Sequence, residues 1–160
     1  MKQLHAIGDE AERGPGQSGT ILLGHRTYDL MKGYWPTPEA KEAEPEIARY
    51  MNDSPKLAVS HEPFDPGWSH VTVISGEVIG QIRALKEGSG DDIIIFGSNT
   101  LCVSLMEEGL LDEVQTMVNP IVLGAGTPLF QGLSRRVPLT LKEARTFPPG
   151  AVLLTYEVNR

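Results

Sequence analysis

Three short turns in this chain combine glycine, hydroxyl and basic residues, which together have the chemistry that binds phosphate. The first turn of a helix offers free backbone N–H groups to an anion, and Arg26 can add two parallel hydrogen bonds to phosphate oxygens. One such turn alone is equally typical of an ordinary helix start. The set predicts a site for an extended phosphorylated ligand such as a dinucleotide. The turns are Gly24-His25-Arg26-Thr27, Ser60-His61 and Gly97-Ser98-Asn99-Thr100.

The elements that must position these turns are buried strands. Ile93–Phe96 is a fully apolar run, which indicates a strand at the centre of a sheet covered by helices on both faces. Each turn directly follows a predicted strand, and ligands of open α/β sheets bind beyond the carboxyl ends of the strands. Neither a P-loop nor a G-x-G-x-x-G pattern is present, so the predicted site is not a standard nucleotide loop.

Strands alternate with helices over most of the chain and then follow one another. This order predicts an α/β fold with a mostly parallel central sheet flanked by helices and an antiparallel C-terminal end. The predicted strands are Thr20–Gly24, Lys56–Ser60, Val71–Ile74, Ile93–Phe96, Glu113–Leu123, Leu139–Thr146 and Ala151–Val158. The predicted helices are Gln3–Arg13, Tyr28–Tyr34, Ala43–Asn52, Val78–Glu87 and Leu101–Gly109.

Composition narrows the class of protein. The chain has 160 residues, of which 40% are hydrophobic and 22% charged, and this fits one globular domain over residues 1–160. A net charge of −7 argues against nucleic-acid and membrane partners, and no apolar stretch could span a bilayer. The single Cys102 should be buried on an apolar helix face, so neither a disulfide nor a metal site is expected. The expected compartment is the cytoplasm.

Several titratable and aromatic residues have ordinary structural interpretations. Asp112 and Glu113 are adjacent and would point to opposite faces of a strand, so we interpret them as a solvated strand start. His5 and His70 have no evident partner and are assigned no role. The segment Tyr34–Pro36 is equally compatible with the wall of a substrate pocket and with a core cluster at a helix end.

Six segments together resemble the reductase domain at the C-terminus of the bacterial riboflavin-biosynthesis deaminase/reductase. The resemblance is closer to its stand-alone relatives, often called dihydrofolate-reductase-like proteins, and it runs from Thr20 to Val158 in the family order. No single motif is specific, but the set is. The segments are Thr20–Tyr28, Gly33–Pro36, Pro55–Ser60, Ile93–Ser98, Gly109–Glu113 and Pro120–Phe130.

The resemblance implies a dihydrofolate reductase-like fold that binds NADPH and forms a homodimer. It assigns Gly24, Arg26 and Thr27 to the first cofactor loop and Gly97–Thr100 to the pyrophosphate turn. It places Ser60 and His61 against the adenosine 2′-phosphate. The chain has His25 and His61 where the family often has permanent cations, which leaves the preference between NADP and NAD open.

The N-terminal segment departs further from the family, whose members begin with a strand, a Ser-Leu-Asp-Gly-like motif and a helix. Too few residues precede Thr20 for all three, so we predict that Gln3–Arg13 forms the helix alone, ended by the turn at residues 14–16. The first strand's slot inside the sheet would then be vacant, which exposes backbone donors and acceptors. Three explanations stay open: Met1 is not the true start, Lys2–Ile7 is the strand, or a neighbouring chain fills the slot.

Two functions are compatible with these observations. The first is an NADPH-dependent reductase that transfers a hydride to a small heterocyclic or carbonyl substrate of the riboflavin-precursor or pterin type. No catalytic residue is assigned, because the family's acidic candidate lies in the N-terminal motif that is absent here. The second is a non-catalytic nucleotide-binding or structural homodimer that lacks the substrate half of the site.

Overall fold

The computed structural model describes residues 1–7 and 19–159, which form an eight-stranded sheet and five helices. The strands are β1 (Leu4–Ile7), β2 (Thr20–Gly24), β3 (Lys56–Val59), β4 (Val71–Ile74), β5 (Ile93–Phe96), β6 (Glu113–Val118), β7 (Leu139–Phe147) and β8 (Ala151–Val158). The helices are α1 (His25–Tyr34), α2 (Pro38–Ala43), α3 (Pro45–Asp53), α4 (Val78–Glu87) and α5 (Asn99–Glu107).

The sheet is parallel at its centre and antiparallel at its C-terminal end. Its strand order is β4-β3-β2-β5-β1-β6-β8-β7. Strands β1 to β6 pair in parallel, whereas β8 runs antiparallel to both β6 and β7. The apolar runs at Ile21–Leu23 and Ile93–Ile95 are buried without alternation, as expected for strands covered on two faces. This arrangement confirms the predicted α/β class, with a parallel centre flanked by helices and an antiparallel C-terminal end.

Strand β1 fills the central slot that was expected to be vacant. It pairs in parallel with β5 and β6, with Leu4 opposite Ile93 and His5 opposite Glu113. The explanation in which Lys2–Ile7 supplies the strand is confirmed, and the predicted helix is wrong over residues 4–7. Residues 8–13 of that helix and the turn at residues 14–16 lie outside the described residues. As a strand, residues 4–7 satisfy backbone groups of two neighbours that a helix would leave unpaired.

Hydrogen bonds from both flanks hold the start of β1. The Leu4 N–H donates to Asp112 Oδ2 at 2.7 Å, and the Lys2 N–H donates to the Lys86 carbonyl at 2.8 Å. The buried ammonium of Lys86 contacts the same Asp112 carboxylate. Asp112 therefore joins β1 to α4, and its interpretation as part of a solvated strand start is wrong.

Apolar side chains form one cluster on each face of the sheet. The first cluster packs α4 and α5 against the sheet, through residues such as Ile82 and Leu105. The second packs α1 and α3 against β2 and β3, through residues such as Tyr28 and Met51. Cys102 is buried in the first cluster, as predicted, and burial raises the pKa of its thiol to about 12.

After the N-terminal segment, the two largest differences from the predicted element boundaries each lie beside a proline, and the other boundaries differ by at most three residues. The helical stretch Ala43–Asn52 is divided between α2 and α3, because Glu44 (ψ 67°) leaves the helical conformation before Pro45 begins α3. Strand β6 ends at Val118 instead of Leu123, since Pro120 lacks the N–H that further pairing would need. Within residues 1–7 and 19–159, no helix has the length and apolar character to cross a bilayer.

Candidate functional site

The three turns lie side by side at one edge of the sheet. Gly24 ends β2, Ser60 follows β3 and Gly97 follows β5, and these three strands are neighbours in the order β3-β2-β5. Because the strands are parallel, all three turns leave the same, carboxyl edge. The arrangement brings together the chain segments that the sequence assigned to one ligand, while their role as a cofactor site stays a prediction.

A hydrogen-bonded group joins the first and third turns. The Ser98 hydroxyl accepts a hydrogen bond from the Gly24 N–H at 2.8 Å and donates one to the Thr27 hydroxyl at 2.9 Å. Gly97 and Ser98 both have a left-handed backbone (φ 62° and 59°), which turns the chain between β5 and α5. A Cβ at Gly24 would lie 2.8 Å from the Ser98 hydroxyl oxygen, so this close approach requires glycine.

Two helices begin at this hydrogen-bonded group. Helix α1 starts directly after Gly24 and α5 directly after Ser98, and neither residue caps its helix through a side chain. Among residues 1–7 and 19–159, neither first turn is closed by a side-chain cap, so its backbone N–H groups can serve another acceptor. Since the helix dipole adds positive potential at these ends, the arrangement suits an anion such as a pyrophosphate.

The second turn holds the imidazole of His25. The buried Ser60 places its hydroxyl 3.0 Å from His25 Nδ1. The imidazole also stacks on the Phe64 ring, with 4.5 Å between ring centroids and 6° between planes. Its Nε2 lies 3.7 Å from the Asp29 carboxylate, and the His25 side chain remains 47% exposed. The ring is thus fixed in orientation and still open to a ligand.

The other predicted site residues lie on the same three turns with little internal bonding. The side chains of Arg26, His61 and Thr100 are exposed, and Asn99 is half-buried as the first residue of α5. In the described part of the chain, none of these four side chains makes a hydrogen bond or an ion pair. Arg26 is an exposed cation in the first turn of α1, next to Thr27 in the chain.

Sequence reasoning missed His5, which is buried between two carboxylates. Its Nδ1 lies 3.0 Å from Glu113 Oε1 and its Nε2 lies 3.3 Å from Asp92 Oδ2. The interpretation of His5 as a residue without partners is therefore wrong, as is that of Glu113 as part of a solvated strand start. The signal that could have revealed this contact is the strand register. A strand at Leu4–Ile7 that pairs with β6 puts His5 opposite Glu113.

Glu113 is the centre of this buried polar network. It accepts hydrogen bonds from Gln115 Nε2 at 3.0 Å and from Lys142 Nζ at 3.3 Å. The hydrogen bond with His5 has the largest effect and holds the pKa of Glu113 at about 2, although burial alone would raise it. The described residues contain no group of three or more His, Cys, Asp or Glu side chains arranged to hold a metal ion.

The aromatic segment at the end of α1 belongs mainly to the core. Trp35 packs against the second apolar cluster, and its indole N–H contacts the sulfur of Met31 at 3.0 Å. The Trp35 carbonyl accepts a hydrogen bond from Asn52 Nδ2 at 2.9 Å. Of the two interpretations left open for Tyr34–Pro36, these contacts favour the core cluster at a helix end.

Comparisons of the sequence with known proteins identify a family. The sequence pattern of the RibD C-terminal domain matches residues 10–153. The protein YyaP of Bacillus subtilis (strain 168) is 30% identical over 143 residues, which cover 89% of this chain and 76% of YyaP.

Solved structures show the same fold at low sequence identity. A pyrimidine reductase-like protein from Corynebacterium diphtheriae NCTC has a TM-score of 0.67 and 16% identity, covering 99% of this chain and 92% of that one. Dihydrofolate reductase from Enterococcus faecalis, solved in complex with NADP(H), has a TM-score of 0.62 and 15% identity, covering 99% and 97%. With its sequence match over residues 10–153 and its dihydrofolate reductase-like fold, this chain belongs to the RibD C-terminal domain family.

Proposed function

We propose that this chain is a cytoplasmic NADPH-dependent reductase that transfers a hydride to a small heterocyclic or carbonyl substrate of the riboflavin-precursor or pterin type. The observation that carries the proposal is the hydrogen-bonded group of Gly24, Thr27 and Ser98 at the start of two helices. Family membership and the fold shared with an NADP(H)-complexed dihydrofolate reductase support the choice of reaction and cofactor.

Each turn has a proposed part in holding the cofactor. The first turns of α1 and α5 would bind the pyrophosphate through backbone N–H groups, with Arg26 adding a cation. Ser60, His25 and His61 would hold the adenosine end. The residues fit such a ligand, because glycine leaves no side chain at the start of α1 and, among the described residues, neither N-cap residue makes a side-chain hydrogen bond to its helix.

When bound, NADPH supplies the hydride, and the chain's residues supply binding and orientation. The left-handed backbone at Gly97 and Ser98 turns the chain so that α5 begins at the carboxyl edge of the sheet, before any ligand binds. The Ser98 hydroxyl is held from both sides by Gly24 and Thr27. A site that is formed in advance loses less conformational entropy on binding, so these internal bonds favour affinity.

NADPH is expected to bind the folded wild-type chain saturably, and Arg26→Ala should weaken its affinity about tenfold. Loss of a charge-assisted hydrogen bond is worth roughly 1.5 kcal/mol, which corresponds to that factor. Binding can be measured by isothermal titration calorimetry and by quenching of tryptophan fluorescence.

The matched control is Arg83→Ala, which removes an exposed arginine of α4 that pairs with Glu108. Its NADPH affinity should equal that of the wild type. If wild-type protein with a normal circular dichroism spectrum shows no saturable NADPH binding, the cofactor assignment is wrong.

We also propose that the chain forms a homodimer through the β7 edge of its sheet. Strand β1 fills the central slot of the sheet, so no partner chain is needed there and the slot gives no argument for a dimer. The support is now β7 itself, an edge strand that is exposed from Leu139 to Thr146. A long edge strand that carries exposed apolar side chains is a surface that can pair with another chain. Two exposed apolar side chains, Leu139 and Leu141, lie on β7 itself.

Size-exclusion chromatography with light scattering should give about twice the chain mass of 17.5 kDa. Leu141→Glu places a charge in the proposed interface and should yield a folded monomer. Leu30→Glu makes the same change at a position of α1 that is 71% exposed and should leave the dimer intact. A wild-type monomer, or a dimer unaffected by Leu141→Glu, would contradict the proposed interface.

A further inference from the structure

One side chain beside the proposed cofactor site is the carboxylate of Asp29, which lies near the imidazole of His25. Asp29 lies four residues after His25 on α1, and its Oδ2 is 3.7 Å from His25 Nε2. Both side chains are exposed, His25 by 47% and Asp29 by 64%. The imidazole proposed to help hold the adenosine end of NADPH, which carries the 2′-phosphate, therefore already faces a carboxylate.

The other contacts of His25 leave Nε2 as the atom that a ligand can reach. The Ser60 hydroxyl occupies Nδ1 at 3.0 Å, and the Phe64 ring covers one face of the imidazole. A phosphate that contacts Nε2 must then come close to Asp29 Oδ2. Burial, then the charges of Asp29 and Asp65, raise the pKa of the neighbouring Tyr28, while the Lys32 ammonium lies 5.9 Å from the centroid of the Tyr28 ring.

We propose that Asp29 is a specificity-determining residue that disfavours the 2′-phosphate, so that the site binds NADPH no more than about tenfold more tightly than NADH. The proposal rests on the cofactor site proposed above. A carboxylate repels a phosphate that is held at His25. In contrast, it can accept a hydrogen bond from the free ribose 2′-hydroxyl of NADH, as acidic residues do in other dinucleotide folds.

The test compares dissociation constants for NADPH and NADH, measured by calorimetry at one ionic strength. For the wild type, the two constants should lie within about tenfold of each other, because like charges in contact at an exposed site change affinity by roughly that factor. Asp29→Asn should tighten NADPH binding about fivefold to tenfold. It should leave NADH binding unchanged or weaken it, since the amide is a poorer acceptor than the carboxylate.

Two further variants separate the contact with His25 from general charge. Asp65→Asn removes the same charge from the Phe64 segment, and among the described residues Asp65 makes no hydrogen bond or ion pair with His25. Asp53→Asn removes an exposed carboxylate at the far end of α3, before β3. Both variants should change the ratio of the two dissociation constants by less than about twofold.

The measured dissociation constants distinguish a failure of the role of Asp29 from a failure of the cofactor site itself. The role of Asp29 is overturned if the wild type prefers NADPH by a hundredfold or more. It is also overturned if Asp29→Asn changes both affinities equally, or if Asp65→Asn changes the ratio as much. If the folded wild type binds neither nucleotide, the proposed cofactor site fails and this inference fails with it. Binding of both nucleotides with an unchanged ratio in Asp29→Asn removes only the inference.

Discussion

Leu4→Ala is expected to lower the free energy of unfolding by about 3–5 kcal/mol, and Leu4→Pro is expected to prevent folding. The Leu4 side chain is fully buried in the first apolar cluster, so truncation leaves a cavity under the centre of the sheet. Proline also removes the N–H that donates to Asp112 Oδ2 at 2.7 Å. Urea unfolding followed by circular dichroism measures the first effect, and the far-ultraviolet spectrum of the purified variant reports the second.

Leu30→Ala is the matched control, because it makes the same change at a side chain that is 71% exposed on α1. Its free energy of unfolding should stay within about 0.5 kcal/mol of the wild type. A Leu4→Pro variant with the wild-type melting temperature would show that residues 4–7 do not form the central strand.

Acidification between about pH 4.5 and pH 2 is expected to destabilise the protein through Glu113. Its pKa is lowered from the ordinary 4.5 to about 2 in the folded chain, chiefly by the hydrogen bond with His5. A carboxyl group with a depressed folded-state pKa contributes its full stability above the unfolded-state value and loses it as the pH falls through the folded-state value. The contribution is about 3 kcal/mol at most, because each unit of pKa shift is worth about 1.4 kcal/mol.

Glu113→Gln separates this contribution from that of the other carboxylates. The variant should be less stable than the wild type at pH 6, and the difference should shrink as the pH approaches 2. Glu62→Gln, at an exposed loop position, should keep the wild-type dependence. Urea titrations at several pH values between 2 and 6 measure all three proteins. A constant difference between the wild type and Glu113→Gln over this range would refute the assignment.

The sequence alone determined those strands and helices whose own residue types favour a single conformation. The apolar runs of β2 and β5 indicated buried strands, because β-branched and aliphatic residues between turn signals favour strands in most contexts. The order of strand, turn and helix also predicted that Gly24, Ser60 and Gly97 leave the same edge, since parallel strands share their carboxyl ends. From these local patterns the fold class and the place of the candidate site could be predicted, and the comparison with known families agrees with the fold.

Strand β1 could not be predicted in the same way, because four residues carry too little periodicity to separate helix from strand. Its conformation is decided by backbone hydrogen bonds with β5 and β6, whose residues are distant in the chain. For the same reason, contacts that depend on strand register could not be predicted from the sequence. His5 meets Glu113 across 108 positions, and Gly24 meets Ser98 across 74.

Only the tertiary structure decided which side chains contact each other, because these contacts depend on the register of the strands. A strand's register is set by the neighbours that bury one of its faces, and a shift of one residue would turn His5 into the first apolar cluster and Leu4 out of it. A residue's own type therefore predicts what it can bind, but the neighbouring strands determine what it does bind. For this reason His5, which has no evident partner in the sequence, is buried between two carboxylates.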